Sequence, residues 1–302
     1  MPERAAHPAH PGSIGEALDE AIARLARARI GDPRREALAM WAAVKGGGMK
    51  PGAVWLERAR EPAPDVARRF EDALDRRLGG MPFAYAVGRT GFRTLDLELD
   101  RRALIPRPET EGLVDLVLRE AGKGETGKGK RGVAADIGTG CGCIALALAV
   151  EGPFERVIAV DSSSDAVALA RENVARVRPP VPVEVREGDL LAPLAGERCR
   201  AIVSNPPYLT EAEYLGLDPS VGQFEPRDAL VSGPDGLAAT RALLVGGRGV
   251  LEPGGLLALE VDERRAERVA RLARELAWSR VTVYDDLFGR ARYVLAILEE
   301  DA

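Results

Sequence analysis

The residues whose types and order could most directly do chemistry are Asn205-Pro206-Pro207-Tyr208. They follow the apolar run Ala201-Ile202-Val203, which reads as the end of a buried strand, and the two prolines cannot donate to a sheet and stop its ladder at once. Ring-fixed φ angles would hold the Asn205 carboxamide, the Pro206 carbonyl and the Tyr208 ring in one geometry at little ordering cost. Two acceptors beside an aromatic face suit a planar NH2 group. An amide or exocyclic amine nitrogen is a poor nucleophile because its lone pair is delocalised. Hydrogen bonds from both N–H groups to Asn205 and Pro206 would localise that pair and aim it, while Pro207 stiffens the loop and Tyr208 covers the flat face. Taken alone, Asn-Pro-Pro reads equally well as an ordinary turn after a strand.

A glycine-rich stretch upstream, Ala134-Ala135-Asp136-Ile137-Gly138-Thr139-Gly140-Cys141-Gly142-Cys143, shifts that balance. It joins a strand to a helix, and its glycines let the backbone approach a ligand closely. Asp161 ends the next strand, where a carboxylate would reach ribose hydroxyls. A dinucleotide fingerprint needs glycine at position 143, which is cysteine; the third glycine is Gly142. Asp-x-Gly-x-Gly-x-Gly suits a nucleoside carrying an amino-acid moiety, with Asp136 organising the loop that receives the ammonium end. S-adenosylmethionine is such a ligand, and Asp189 and Leu190, after the third strand, fall where its adenine would be contacted. A glycine loop by itself also fits a structural turn or another nucleotide. What strengthens the methyl-donor reading is its combination with Asp161 and a post-strand Asn-Pro-Pro-Tyr in the fourth position of the sheet.

These residues need a scaffold of alternating strands and helices. Strands are expected near 133–137, 156–160, 182–186, 200–204, 255–260, 280–284 and 292–298, and helices at 141–150, 164–176, 236–246 and 262–276: a doubly wound α/β sheet. Ahead of it, Phe83–Val87 and Phe92–Leu99 alternate apolar and polar residues around a glycine-containing turn, which predicts a hairpin within 81–103. Leu104-Ile105-Pro106-Arg107-Pro108-Glu109-Thr110-Glu111 opens a helix to about Ala121, its prolines making a stiff turn that could present Arg107. Residues 13–80 read as a small all-α domain: a capping box at Ser13 and Glu16, an N-cap at Asp32 before Pro33, and Val66, Phe70, Leu74 and Leu78 spaced by fours. Residues 1–12 read as a mobile tail. Residues 122–131 resemble a phosphate-binding loop but have Gly129 where serine or threonine is required, and read as a solvated linker.

The 302 residues, 46% hydrophobic, suffice for two cored domains. No apolar run approaches membrane-spanning length, and the N-terminus has no signal-peptide core. Three cysteines, Cys141, Cys143 and Cys199, suit free thiols in a reducing cytoplasm and are too few for a metal site. Both histidines, His7 and His10, lie in the expected tail, so histidine triads and histidine-based metal sites are excluded from the folded body. A net charge of −5 argues against non-specific nucleic-acid binding.

Over nearly its whole length the chain resembles the release-factor glutamine methyltransferases, the HemK-like family. The resemblance rests on the helical N-terminal domain, Leu104 to Glu111, the Asp136 to Gly142 loop, Asp161, Gly188-Asp189-Leu190, Asn205 to Tyr208, Glu225-Pro226, Asp235-Gly236-Leu237 and Asp286-Leu287-Phe288-Gly289. It implies a class I S-adenosylmethionine-dependent methyltransferase fold over 104–302, Rossmann-like with an antiparallel last strand. It further implies cofactor contacts from Asp136, Gly138, Thr139, Gly140, Cys141, Gly142, Asp161, Asp189, Leu190 and Asn205, catalysis by Asn205, Pro206 and Tyr208, and a substrate glutamine held by Asn205, Pro206, Pro207 and Tyr208. The implied partner is a class 1 peptide chain release factor, docked by the helical domain. Met81, Arg93, Leu190 and Asp262 depart from the family pattern. The rival readings are a ribosomal-protein glutamine methyltransferase, a methyltransferase of exocyclic amines in nucleic acid, and a non-catalytic scaffold.

Overall fold

A computed structural model describes residues 12–122 and 132–298, so the expected tail and linker lie outside the described residues but for Gly12 and Gly122. The chain forms two compact units, Met1–Arg89 and Thr90–Ala302.

The first unit is helical. Its α1 (Ile14–Arg27) starts where the Ser13 hydroxyl accepts from the Glu16 amide at 3.2 Å. The Glu16 carboxylate reaches the Gly12 amide instead of the cap's own, so half of the expected box is made. Ile14, Leu18, Ala21 and Leu25 follow the helical period and are buried. Asp32 accepts from the Arg35 amide to open α2 (Pro33–Lys45), and Gly46, at φ +71°, ends it. Then come α3 (Pro51–Leu56) and α4 (Pro64–Leu78), whose Phe70 packs its ring 4.8 Å from that of Trp41.

Phe83–Val87 is the helix α5, not the first strand of a hairpin. Five residues are too few for alternation to separate period 2 from period 3.6. Tyr85, Ala86 and Val87 are consecutively buried, and Gly88 at φ +76° gives the helix a left-handed cap. The hairpin is displaced along the chain, to β1 (Arg89–Phe92) and β2 (Leu95–Glu98). Its turn, at Arg93 with φ +54°, interrupts the stretch expected as the second strand.

The second unit continues with α6 (Pro108–Ala121), β3 (Val133–Ile137), α7 (Cys143–Glu151), β4 (Arg156–Asp161), α8 (Ser164–Val177), β5 (Val183–Glu187) and β6 (Cys199–Ser204). After β6 come two short helices that the sequence reading lacks, α9 (Glu211–Leu215) and α10 (Pro219–Phe224), then α11 (Ala238–Val250), β7 (Leu251–Glu260), α12 (Ala266–Glu275), β8 (Arg280–Asp285) and β9 (Ala291–Ile297). The seven strands lie in the order β5-β4-β3-β6-β7-β9-β8. All five from β5 to β7 are parallel neighbours, and β9 runs antiparallel to both β7 and β8. The link from β8 to β9 is a short turn, too short for the crossover that parallel neighbours need. The strand order reverses between β3 and β6, and a crevice opens at the carboxyl ends of the strands at such a point.

Candidate active site

Both loops singled out by sequence leave this switch point from adjacent strands. Val133–Ile137 is buried throughout, so β3 carries Asp136 into the interior, fully shielded from solvent. One carboxylate oxygen, Oδ2, accepts from the Thr139 hydroxyl at 2.6 Å and from the Ala145 amide in the first turn of α7 at 3.0 Å. The other, Oδ1, is buried without a hydrogen-bond partner. Burial pushes the carboxyl up to about 7, opposed by those two donors and reinforced by the nearby charge of Asp161.

The loop beyond Asp136 is tied down at almost every residue. The amides of Gly138 and Thr139 both donate to the Val160 carbonyl at 2.9 Å. Gly140 donates to Asp161 Oδ2 at 2.9 Å, and Asp161 Oδ1 accepts from Ser163 at 3.0 Å. Gly138 has φ +73°, and a Cβ added there would enter open space, so the glycine serves backbone conformation and leaves the approach to the loop clear. Cys141 and Cys143 are buried free thiols. What the loop offers a ligand is therefore backbone, with Oδ1 of Asp136 behind it. Asn173, on α8, was not singled out by sequence. It is wholly buried, its Nδ2 donating to the carbonyls of Cys141 and Glu98 and its Oδ1 accepting from the Glu98 amide.

After β5, Gly188 packs so closely on Pro193 that a Cβ would come within 2.5 Å of its ring. Asp189 is exposed, and Leu190 is half-buried at φ +45°, a left-handed backbone that costs a leucine on the order of 1 kcal/mol.

At the end of β6, the Ser204 hydroxyl donates to the Ile137 carbonyl at 2.6 Å, linking the two loops' strands at the point where both leave the sheet. Pro206 is buried, and Asn205, Pro207 and Tyr208 are half-buried. The amides of Tyr208 and Leu209 donate to the Leu230 carbonyl, and Ser232 donates back to Leu209. Gly236, at φ +72°, lies against this loop: a Cβ there would meet the Tyr208 carbonyl oxygen at 2.3 Å. The Asp235-Gly236-Leu237 motif thus has a packing reason. Burial raises the Tyr208 hydroxyl above its ordinary range, so it stays protonated.

Arg107 does not point its charge at an open site. Its guanidinium pairs at 2.7 Å with Glu225, whose side chain is 1% exposed, locking the proline-flanked turn before α6 to the end of α10. Two residues on, the Tyr293 hydroxyl donates to the Glu109 carbonyl at 2.6 Å, over a helix face that only Gly112 keeps clear. Thr110, between these anchors, is buried, and its hydroxyl oxygen accepts from Asn205 Nδ2 at 3.2 Å. Glu260, the last residue of β7, is buried too, and the same hydroxyl favours its ionised form. Arg93 and Asp262 serve structure, Arg93 bridging the hairpin turn to Asp115 and Glu151, and Asp262 holding Arg264 and Arg265.

Every site residue expected from sequence therefore stands at the carboxyl end of one of four neighbouring strands, β5, β4, β3 and β6. The donor set fits a nucleoside with an amino-acid tail: an unpartnered buried carboxylate oxygen for an ammonium, and one carboxylate with lone pairs remaining for a ribose. Among the described residues, no cluster of side chains could hold a metal ion and no helix is long and apolar enough to cross a membrane.

The chain is similar to known proteins over both units. Residues 16–88 match the PrmC N-terminal domain, and residues 123–216 match the methyltransferase small domain. The release factor glutamine methyltransferase of Moorella thermoacetica is 40% identical over 96% of this chain and 100% of its own. That of Deinococcus radiodurans is 38% identical over 94% and 98%. A methyltransferase from Pyrococcus furiosus shares the fold at 21% identity, with a TM-score of 0.51 over 70% of this chain and 92% of that one.

Proposed function

Because the chain belongs to the release factor glutamine methyltransferases, we propose that it methylates the side-chain amide nitrogen of the glutamine in the Gly-Gly-Gln motif of a class 1 peptide chain release factor. The observation that carries this reading is the hydrogen bond from Ser204 to Ile137, which joins a nucleoside-type glycine loop and an amide-holding loop at adjacent strand ends.

S-adenosylmethionine supplies an electrophilic methyl group on a sulfonium. The chain's own residues bind and aim. Asp136 Oδ1 takes the ammonium, the backbone of Gly138 to Gly142 lines the tail, Asp161 takes ribose hydroxyls, and Asp189 with Leu190 borders the adenine. Asn205 Oδ1 and the Pro206 carbonyl accept the two N–H groups of the glutamine amide, localising the nitrogen lone pair, and the Tyr208 ring covers the amide plane. The gain is orientation, worth several powers of ten when the reacting atoms are held in line. No covalent enzyme intermediate is required: the nitrogen becomes acidic once alkylated, and its extra proton leaves late. The helical unit docks the release factor, supported by its match to the PrmC N-terminal domain. The net charge of −5 favours a protein substrate over nucleic acid, and the thiol usage suits the cytoplasm.

The test is methyl transfer from labelled S-adenosylmethionine to a class 1 release factor, to that factor with the Gly-Gly-Gln glutamine changed to alanine, to ribosomal proteins and to structured RNA and DNA. Label on the unmodified factor alone is expected. Label on nucleic acid, on a ribosomal protein, or on both forms of the factor alike would overturn the substrate assignment.

A further inference from the structure

An asparagine that must present an oxygen to its substrate has a problem of symmetry: its carboxamide fits almost equally well after a half-turn that exchanges oxygen for NH2. Turned the wrong way, Asn205 would direct a donor at a substrate NH2 group, donor against donor. Its immediate neighbour does not prevent this, because the Thr110 hydroxyl can donate as readily as it accepts. The choice passes to whatever takes the Thr110 proton. The buried acceptor beside it is Glu260, whose ionised form the Thr110 hydroxyl favours. An ionised carboxylate accepts only, so the Thr110 hydroxyl must donate to it, the Thr110 oxygen must then accept from Asn205 Nδ2, and Oδ1 is left to face away from Thr110.

We propose that Thr110 and the Glu260 carboxylate are positioning residues that set which end of the Asn205 carboxamide faces the substrate amide. The inference rests on the methyl-transfer reading of the Asn205 loop and adds two residues and a protonation state to it. Its support is geometric. Thr110 and Glu260 are both buried, at the first turn of α6 and the end of β7, and a proline-flanked turn and the Tyr293 hydroxyl fix that helix start. Glu260 Oε2 is buried with no hydrogen-bond partner, so the carboxyl is not consumed by a structural network.

The groups facing Glu260 are Thr110, Glu109 and Arg107 from the start of α6, Tyr208 from the loop after β6, and Arg292 and Tyr293 from β9. Burial pushes its carboxyl up to about 7, with Glu109 adding to the rise and Thr110, Arg292 and Arg107 opposing it. Protonated, Glu260 can donate to Thr110, Thr110 can donate to Asn205, and the carboxamide loses its preference. Productive orientation is therefore present above about pH 7 and is lost as the pH falls through it.

The experiment measures kcat and KM for release-factor methylation from pH 5.5 to 8.5 in the full chain and in Glu260→Gln, Thr110→Val and Thr110→Ser. Glu260→Gln keeps shape but can donate, and is expected to lower kcat/KM about tenfold to a hundredfold at pH 8, the scale of one hydrogen bond to a charged group, and to flatten the acid limb. Thr110→Val should lose as much, Thr110→Ser should recover most of it, and S-adenosylmethionine affinity should stay within about twofold in all three. A Glu260→Gln enzyme with the parent's rate and pH profile, or a Thr110→Ser enzyme as poor as Thr110→Val, overturns the proposal. An unmutated chain that fails to methylate the factor overturns the substrate reading instead, so the two failures are distinct.

Discussion

On the proposed reading, in which the ammonium of the methyl donor meets Asp136, binding of that donor should be a proton-releasing event. Buried, with Oδ1 unpartnered, its carboxyl sits near 7, so at pH 6 about 0.9 of a proton is bound there in the free protein. An ammonium seated against Oδ1 returns the group toward or below the ordinary carboxylate range, and the proton leaves. The ligand's own amino group is already charged at that pH, so it contributes little to the balance. Titration calorimetry at pH 6 in two buffers of different ionisation enthalpy should therefore give heats that differ by about 0.9 times the difference between those enthalpies. Asp136→Asn preserves an acceptor for Thr139 and Ala145, carries no titrating group, and should abolish the buffer dependence. The sign for stability is opposite to that of an ordinary paired carboxylate. A raised acid stabilises the fold fully below its unfolded value, 3.8, and that contribution is lost as pH rises through about 7. The unliganded protein should thus lose stability between pH 4 and 7 at this site, and Asp136→Asn should flatten that part of the curve. Equal heats in both buffers, or a buffer dependence that survives in Asp136→Asn, would refute the placement of the ammonium.

Asn205→Ala should cost on the order of 10² to 10³ in kcat, the scale of removing one preorganised polar contact, while S-adenosylmethionine still binds; single-turnover transfer at near-normal rate would remove Asn205 from the mechanism. Gly236→Ala drives a Cβ against the Tyr208 carbonyl and should lower methyl transfer about a hundredfold through a shift of that loop, with the thermal midpoint changing far less than in a core cavity variant. Arg107→Met leaves the buried Glu225 carboxylate without its ion pair, with the Ile105 amide at 3.4 Å still donating to it; with Arg107 about a third exposed, water repays part of the loss, and a cost of about 2 kcal/mol is expected, read as ~30-fold faster hydrogen exchange over 219–230. The double variant Arg107→Met with Glu225→Gln should recover most of that protection.

The site was legible wherever one short segment carries both the chemistry and the reason for its backbone. Asp136 to Gly142 and Asn205 to Tyr208 contain their own glycines and prolines, and the strands before them are mostly apolar, so their place at the strand ends could be read from the chain. The helical unit was legible through period and caps, at Leu18, Leu25, Phe70 and Leu74. The misreading at Phe83–Val87 came from a segment too short to show its period, and α9 and α10 were missed for the same reason, although the capping box at Thr210 and Glu213 marks the first. Thr110, Glu260 and Asn173 escaped on different grounds. Each acts across the fold, on a partner 95, 150 and 32 residues away respectively in the cases of Asn205, Thr110 and Cys141, and nothing local distinguishes a threonine in a helix's first turn that orients a distant amide from one that does not.

Asn173 has a consequence for anyone who would move this loop to another protein. One side-chain amide answers three backbone groups in two separate segments, standing in for the regular structure that the chain between Gly138 and Gly142 does not form. The loop's shape is thus partly stored outside its own sequence, in α8 and the second strand of the hairpin. A graft of residues 136–142 onto a foreign strand and helix would carry the glycines and leave behind the part that holds them still. Transplanting the geometry requires position 173 and the backbone at 98 as well.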